Sequence, residues 1–502
     1  MTEALQYFLM SWLSPHLLFM VAIGTFAGIY IGAIPGLSVT MAASILISFT
    51  FSWDILPALS LIAGVYMGGV YGGSRTAILL NIPGAPSAIA TALDGYPLAQ
   101  RGEAGEAIGL STVMSFIGGL LGIVVLALAA PVISEFTILF QPRDYMLMGL
   151  VGLMLVGALS GDNLAKGVFA GALGLAIGAI GLDPLTAQER LTFGQEMLWN
   201  GISPVAVMIG MFGMAEAINQ IHHMGKQVIR QKIEGIVPRL RDVRRYLGLS
   251  LQSSGIGVVV GALPGTGGDI AALMAYDHAK RVTRNPEVPF GQGAREGLVA
   301  PESANNAAVG GAYIPMLTLG IPGDAVTAII IGALYIHGLN PGPMLLVERP
   351  EMFWFTVGNL MLANLFMLIF GLTGIRLFTK IVEIPKGILI PLITLLSVVG
   401  AYAINNSITD VWWMLGFGVL GYFMRQYGYP VGPVILGVIL ARLIDENWRR
   451  AIISEREDFW AFMGGILTSP LSLPLFLFIC FVLIGQTGLL GRLGRRLRAA
   501  RN

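Results

Sequence analysis

The sequence predicts an all-α membrane protein that crosses the bilayer several times. Residues of the AVILMFWYC set make up 55% of the 502 residues, whereas charged residues make up only 12%. Soluble domains carry roughly 25% charged residues. The mean hydropathy is +0.75. In water such a chain would expose more apolar surface than its polar residues could cover, whereas a bilayer-spanning helix needs about 20 mostly apolar residues.

Apolar runs recur along the whole chain, which is the second observation behind this fold class. They cover residues 17–34, 56–70, 107–130, 145–159, 168–180, 205–218, 353–370, 388–404, 412–423 and 474–484. Several runs are too short to cross a bilayer alone, and several contain an internal Pro-Gly. We therefore expect about 10–14 helical segments, half-helices included.

An internal repeat is the third observation. Residues 32–36 read GAIPG and residues 261–265 read GALPG, 229 positions further on. Residues 82–84 and 321–323 both read IPG and lie 239 positions apart. Two matched landmarks in the same order indicate a duplication.

The duplication and the charge pattern together divide the chain into four parts. We expect membrane repeat one at 1–221, a basic cytoplasmic loop at 222–250, membrane repeat two at 251–440, and at 441–502 a polar stretch, a last transmembrane helix and a basic tail. No Ser/Gly linker or low-complexity tract marks a separate soluble domain.

The distribution of basic residues predicts how the repeats are oriented. Seven Lys/Arg lie between His222 and Arg245, and five lie between Arg492 and Arg501, whereas none precedes Arg75. Because cytoplasmic loops are enriched in Lys and Arg, the N-terminus is expected outside and the C-terminus in the cytoplasm. Repeat one thus starts outside and repeat two inside, which predicts two inverted repeats. The alternative interpretation of the tail is a patch that binds anionic lipid or nucleic acid.

Each repeat contains two helix breaks, and these predict the functional site. Proline removes a helix hydrogen bond, and the following glycine permits unusual backbone angles. Freed backbone groups are tolerated at membrane depth only against protein or a wet cavity. Inverted repeats with discontinuous helices are a recurring design of secondary transporters. We expect residues 35–40 and 264–269 to form one pair of broken elements, and residues 81–87 and 318–327 the other.

Polar residues cluster beside the breaks and supply the candidate ligands. Helix N-termini and arginine suit an anionic group, whereas hydroxyls, amide oxygens and carboxylates suit a cation. The expected substrate-binding residues are Pro35, Gly36, Leu37, Ser38, Ser74, Arg75, Asn81, Pro83, Gly84, Ser87, Pro264, Gly265, Thr266, Gly267, Pro322 and Gly323. The expected ion-binding residues are Ser38, Thr40, Asp269, Glu302, Asn305, Asn306 and Thr318. A structural role for individual residues is the competing interpretation.

Enzymatic signatures are poor, so we expect no enzyme and no cofactor or resident metal. Residues 261–269 have the glycines of a phosphate loop but lack the following Lys-Ser/Thr of a Walker A motif. The five histidines are scattered without metal-ligand spacing, and the single cysteine, Cys480, lies in an apolar run. Without an ATP site, active transport must use a sodium or proton gradient. The net charge of +1 offers no field that would recruit nucleic acid.

Two long signatures resemble the TctA family, the large membrane subunits of tripartite tricarboxylate transporters. The first comprises residues 68–74 (GGVYGGS), 81–86 (NIPGAP) and 94–99 (DGYPLA). The second comprises residues 263–265, 275–276, 296–297, 300–307 (APESANNA), 310–312 and 317–323 (LTLGIPG). The resemblance covers about residues 17–440. Arg75, Asp269 and Asp324 stand where uncharged residues are more usual in the family.

The resemblance implies the rest of a transport system. A TctC-like periplasmic binding protein would capture the substrate, and a small TctB-like membrane subunit would accompany this chain in the bacterial inner membrane. A sodium or proton gradient would drive symport of a carboxylate such as citrate. Two alternatives stay open at this point: a stand-alone carrier of another anion, and a passive channel or structural membrane subunit.

Overall fold

The computed structural model describes residues 2–34, 37–137, 139–159, 164–183, 187–221, 235–375, 386–456 and 458–486, and most of them are helical. Residues 222–234 of the basic loop and all of the basic tail lie outside these residues.

Repeat one and the helices that follow it contain ten α-helices. They are α1 (Thr2–Leu13), α2 (Pro15–Ala33), α3 (Val39–Thr50), α4 (Ile55–Leu80), α5 (Ala88–Leu98), α6 (Ala104–Thr137), α7 (Pro142–Leu159), α8 (Leu164–Gly178), α9 (Pro204–Met208) and α10 (Ala215–Ile221). A π-helical turn (Ala99–Glu103) joins α5 to α6, and another (Ile209–Met214) joins α9 to α10. Two short antiparallel strands, β1 (Gly181–Leu182) and β2 (Glu189–Arg190), and a 3₁₀ turn (Glu196–Leu198) follow α8.

Repeat two and the C-terminal region supply the remaining helices. They are α11 (Leu240–Gly261), α12 (Gly267–Val282), α13 (Glu296–Leu319), α14 (Ala325–Ile336), α15 (Pro343–Glu348), α16 (Pro350–Thr373), α17 (Lys386–Asn405), α18 (Ile408–Gln426), α19 (Gly432–Ser454), α20 (Phe459–Thr468) and α21 (Ser472–Gln486). The described residues thus form more helical segments than the expected 10–14, because short helices such as α9 and α15 add to the half-helices at the breaks.

Several of these helices are suited to a bilayer. Within the described residues, four helical stretches are long and apolar enough to cross it: Pro15–Ala33, Ile55–Leu80, Ala88–Phe136 and Pro350–Thr373. The pair Phe459–Thr468 and Ser472–Val482 passes the same test together but bends by 98°. The all-α, multi-pass fold class is therefore confirmed.

The described chain divides into two compact units. One comprises Met1–Glu135 with Val205–Phe423, and the other comprises Phe136–Pro204 with Met424–Asn502. The partition at residues 221, 250 and 440 stays a prediction. Within the second unit, α7 and α8 pack against α19. In the second unit, Arg190 pairs with Asp445 at 2.9 Å and ties the short hairpin to α19.

The duplication is visible in matched helix ends. Asn81 ends α4 and Gly320 ends α13, both with positive φ, at 55° and 72°. The Asn81 N–H donates to the carbonyl of Ala77, and the Gly320 N–H to that of Met316. A left-handed residue of this kind satisfies the last carbonyls of a helix and reverses the chain. The same backbone device therefore opens the second break of each repeat.

Glycines let the long helices of each repeat touch along their backbones. A Cβ on Gly28 of α2 would lie 2.4 Å from the Val65 carbonyl oxygen of α4. A Cβ on Gly257 of α11 would lie 2.2 Å from the Ala304 carbonyl oxygen of α13. Small residues at helix interfaces are how membrane helices gain close packing. The pairs α2–α4 and α11–α13 are therefore equivalent cores of the two repeats.

The central helices of the two repeats run in opposite directions. The rings of Tyr66 (α4) and Tyr313 (α13) stack with centroids 6.0 Å apart. One turn further along α4, the carbonyl of Val70 accepts a hydrogen bond of 3.1 Å from Asn305, which lies earlier in α13. Residue numbers thus rise along one helix and fall along the other. Since α4 and α13 are equivalent, the repeats are inverted.

The short helices that follow the breaks pack against those of the other repeat: α3 packs on α14, and α12 packs on α5. The buried carboxylate of Asp94 on α5 stabilises the second contact. Asp94 Oδ1 accepts N–H bonds of 2.8 Å from Gly291, Gly293 and Ala294, and Asp94 Oδ2 accepts the hydroxyl of Tyr276 at 2.9 Å. The segment between α12 and α13 is therefore clamped to repeat one.

Gly257→Ala is expected to lower the thermal stability of the purified protein, because the added methyl group collides with the α13 backbone. Gly255→Ala on the same helix is the matched control, since no atom lies within 4 Å of a Cβ there. At an open helical site such a change is neutral or favourable by up to about 1 kcal/mol. Equal melting temperatures for the two variants would contradict the proposed close contact.

Asp94→Ala is expected to destabilise the protein by about 3 kcal/mol, because three N–H groups, two of them buried, lose a charged acceptor. Limited proteolysis between α12 and α13 measures the loss directly, and cleavage there is expected to become faster. Asp54→Asn is the control, because this exposed aspartate makes no side-chain cap bond at the start of α4. Unchanged protease resistance in the Asp94 variant would show that the clamp is dispensable.

Candidate functional site

The helix breaks meet around the antiparallel pair α4 and α13. In repeat two, the Gly265 N–H of the first break donates to the Gly323 carbonyl of the second break at 2.7 Å. In repeat one, Gly84 of the second break packs on the end of α2, since its Cβ would lie 2.3 Å from the Gly32 carbonyl oxygen. Pro35 and Gly36 lie outside the described residues. In repeat two the two breaks therefore pair with each other, whereas the expected pairing of the two first breaks involves Pro35 and Gly36 and stays a prediction.

The second break of repeat one also meets a half-helix of repeat two. The backbone N–H of Ser87, at the start of α5, donates to Asp269 Oδ1 at 2.9 Å. Asp269 lies in the first turn of α12, where a carboxylate is favoured by the helix dipole. Ser87 is buried, whereas Asp269 is exposed, as are Asn81 and Pro86 of the break. This junction is the accessible part of the cluster.

A second acidic residue stands at the other break of repeat two. Asp324 caps α14 by accepting the Thr327 N–H at 2.8 Å, and Thr327 closes a capping box. The Asp324 carboxylate also accepts the hydroxyl of Tyr66 from α4. A Cβ on Gly267 would lie 3.1 Å from the Asp324 Cβ, so α12 and α14 begin side by side. Two carboxylates, Asp269 and Asp324, therefore stand at adjoining helix starts.

Of the two charged residues among the predicted ion ligands, Glu302 is the more buried, with 1% of its surface exposed. Its carboxylate accepts hydroxyl hydrogen bonds from Thr91 of α5 at 2.5 Å and from Ser115 of α6 at 2.9 Å. The hydroxyl of Ser74 on α4 also contacts it. Three helices of repeat one thus converge on one carboxylate of repeat two.

The two predicted asparagines adjoin this carboxylate on α13. Asn305 bridges to α4 through Val70 and leaves its Oδ1 against Gly268 of α12. Asn306 is fully buried and donates its Nδ2 to the carbonyl of Glu302 at 3.2 Å. Asn305 therefore faces the junction between the repeats, whereas Asn306 is bonded within α13.

Several predicted hydroxyls serve their own helices. Ser38 caps α3 by accepting the Met41 N–H at 3.0 Å. Thr318 donates to the Ile314 carbonyl at 2.7 Å, and Thr266 donates to the Leu263 carbonyl at 3.0 Å. Leu37 is buried in an apolar cluster, and Thr40 is half-buried in the first turn of α3. The remaining predicted residues, Pro83, Pro264 and Pro322, lie within the breaks themselves.

Arg75 is not brought to the breaks by the structure. Its guanidinium is fully buried, stacks over the Tyr71 ring at 4.9 Å and donates to the Tyr71 hydroxyl at 2.8 Å. It also donates to the Gly371 carbonyl of α16 at 2.6 Å. These contacts join α4 to α16. Arg75 follows Ser74 in α4, so its side chain points about one third of a turn away from that of Ser74 and reaches α16.

Tyr66, Thr91, Ser115 and Asp94 were missed as partners by the sequence analysis. The first three donate a hydroxyl to a carboxylate of the other repeat, whereas Asp94 is a carboxylate that accepts backbone N–H groups of the other repeat. Tyr66 and Ser115 lie within long apolar runs, where an isolated hydroxyl carries no signal. Asp94 was visible as a charge next to the second break, and its partners lie about 200 residues away in the sequence.

Comparisons with known proteins agree with the resemblance. A family model described as the tripartite tricarboxylate transporter TctA family matches residues 18–436. An uncharacterized 52.8 kDa protein in the TAR-I ttuC' 3'region of Agrobacterium vitis is 35% identical over 454 residues, which are 90% of this chain and 89% of that protein. An uncharacterized protein in the TAR-II ttuC' 3'region of the same organism is 39% identical over 228 residues, 45% of this chain and 93% of that protein. No solved structure matches the chain.

The family match covers both repeats, all four breaks and every predicted site residue. It is consistent with the inverted arrangement of α4 and α13 and with the broken helices between them. The chain therefore belongs to the TctA family of tripartite tricarboxylate transporter membrane subunits.

Proposed function

We propose that this chain is the carrier subunit of an importer that moves a carboxylate into the cell by symport with sodium or protons. It works with a TctC-like periplasmic binding protein and a small TctB-like membrane subunit in the bacterial inner membrane. Its substrate is a citrate-like tricarboxylate or a related carboxylate. Its N-terminus lies outside and its C-terminus in the cytoplasm. The family match supports a tripartite transporter, and the site supports the cation coupling.

The observation that carries the proposal is the meeting of helix breaks between inverted repeats. Such breaks present helix N-termini and free backbone N–H groups, which suit a carboxylate, and free carbonyl groups, which suit a cation. In this chain α5, α12 and α14 all begin at the junction. One locus can therefore hold both a carboxylate and its coupling ion.

Charge balance favours a cation as the second cargo. Across residues 2–100, 246–279 and 296–348, which supply the helices and breaks of the junction, Arg75 is the only Lys or Arg in the sequence. Its guanidinium is turned towards α16, whereas Asp269 and Asp324 stand at the junction. A carboxylate entering this locus is repelled unless positive charge enters with it. Symport with a cation supplies that charge.

The carrier role predicts uptake in proteoliposomes that contain this chain and its small partner. Labelled citrate is expected to accumulate only when the binding protein and an inward sodium or proton gradient are both present. The substrate series then continues with dicarboxylates, and the ion that drives uptake is the coupling ion. Uptake that equilibrates without accumulation, whatever the gradient, would identify a passive channel instead.

Asp269→Asn is expected to raise the cation concentration for half-maximal uptake about tenfold, a loss of about 1.4 kcal/mol. The reason is that Asp269 is the exposed carboxylate of the junction. Asp277→Asn is the matched control on the same helix, because Asp277 pairs with Arg281 in an exposed i,i+4 bridge. If both variants keep the cation dependence of the unmodified protein, Asp269 does not bind the coupling ion.

A further inference from the structure

We infer that Glu302 and its neighbours form a buried sodium site, separate from the exposed carboxylate of Asp269. The ligands are the carboxylate of Glu302, the amide oxygen of Asn306 and the hydroxyls of Ser74, Thr91 and Ser115. This deepens the proposed function, on which it rests for its role in transport: the site holds one coupling cation inside the fold, in addition to the cation expected at Asp269.

The geometry brings these oxygens together from four helices. Thr91 lies 2.5 Å from Glu302 Oε1 and Ser115 lies 2.9 Å from Glu302 Oε2. Glu302, Ser74, Thr91 and Ser115 are each at most 2% exposed. The cluster is therefore dehydrated and built by the fold rather than by one loop.

The lack of a cationic partner calls for a positive charge at Glu302. Among the described residues, no Lys, Arg or His forms an ion pair with its carboxylate. The hydroxyls of Thr91, Ser115 and Ser74 contact the carboxylate but carry no charge. A buried carboxylate without a cation is costly.

An unsatisfied amide oxygen points independently to a missing ligand. Asn306 is fully buried, and its Oδ1 has no hydrogen-bond partner. Its Nδ2 donates to the backbone carbonyl of Glu302 one turn earlier, so the amide lies on the same face of α13 as the Glu302 side chain. Buried amide oxygens are normally paired, so the free oxygen is suited to a bound cation.

The donor set selects sodium. All five donors are oxygens, which hard cations prefer over softer transition metals. Only one of them carries a charge, and within the described residues no group of three His, Cys, Asp or Glu could hold a metal ion. The single negative charge of Glu302 would neutralise only part of the charge of a divalent ion, whereas it neutralises the charge of Na⁺ completely.

The test measures sodium binding to the purified subunit in detergent, without substrate and without transport. Melting temperature is followed as NaCl replaces choline chloride at constant ionic strength, with KCl as the second series. Sodium is expected to raise the melting temperature saturably in the unmodified protein, and potassium is not. Ser115→Ala and Thr91→Val are each expected to raise the half-saturating sodium concentration at least tenfold, and Asn306→Ala likewise.

Ser111→Ala is the matched control for Ser115→Ala. Ser111 lies one turn earlier on α6, is equally buried, and donates to the Ile108 carbonyl of its own helix. Its variant is expected to keep the sodium response. If sodium has no effect, or if the Ser115 and Ser111 variants respond alike, the inference is overturned. A response to pH alone would also overturn it, since the cation would then be a proton on Glu302.

The two proposals can fail separately. Sodium binding to this cluster without carboxylate uptake in proteoliposomes would leave the site intact and remove the carrier function. Sodium-driven uptake that is unaffected in the Ser115 and Thr91 variants would leave the carrier function intact and remove the site.

Discussion

The structure depends on hydrogen bonds to the backbone N–H and C=O groups that the helix breaks leave free within the membrane. A helix that stops inside the bilayer exposes N–H and C=O groups that lipid cannot bond. Here the breaks satisfy one another and the helices around them, as in the bond from Gly265 to Gly323. The left-handed residues Asn81 and Gly320 close the preceding helices in the same way in both repeats. The breaks must therefore cluster, which brings the starts of several helices to the locus where the proposed function puts the substrate and its coupling ion.

Close helix packing makes that cluster possible. Glycines bring the α2 and α4 backbones, and the α11 and α13 backbones, into direct contact. A side chain such as leucine at these positions would force the helices apart, and the breaks would lose their partners. The abundance of glycine is thus connected to the site through the helix spacing and not only through backbone freedom.

The carboxylates are held in three different ways. Asp94 accepts backbone N–H groups, Glu302 accepts hydroxyls, and the exposed Asp269 is held by Ser87. Asp94 resembles a structural clamp, because its charge is met by donors. Glu302 and Asp269 are the two carboxylates to which the proposed cation binding assigns a role.

The amino-acid sequence by itself determined the fold class, the duplication, its inversion and the family. These properties depend on local composition, on the spacing of Pro-Gly breaks and on the distribution of Lys and Arg, all of which can be read one segment at a time. It also identified Asp269, Glu302, Asn305 and Asn306 as candidate ligands, because charged and amide groups are conspicuous in apolar runs.

Only the tertiary structure decided which of these groups meet. It joined the two breaks of repeat two, turned Arg75 towards Tyr71 and Gly371, and recruited Thr91 and Ser115 to Glu302 from about 200 residues away. The physical reason is that the orientation of a side chain around a helix and the partner across an interface depend on how inverted helices cross. That crossing is set by packing among distant residues, so no local pattern in the sequence contains it.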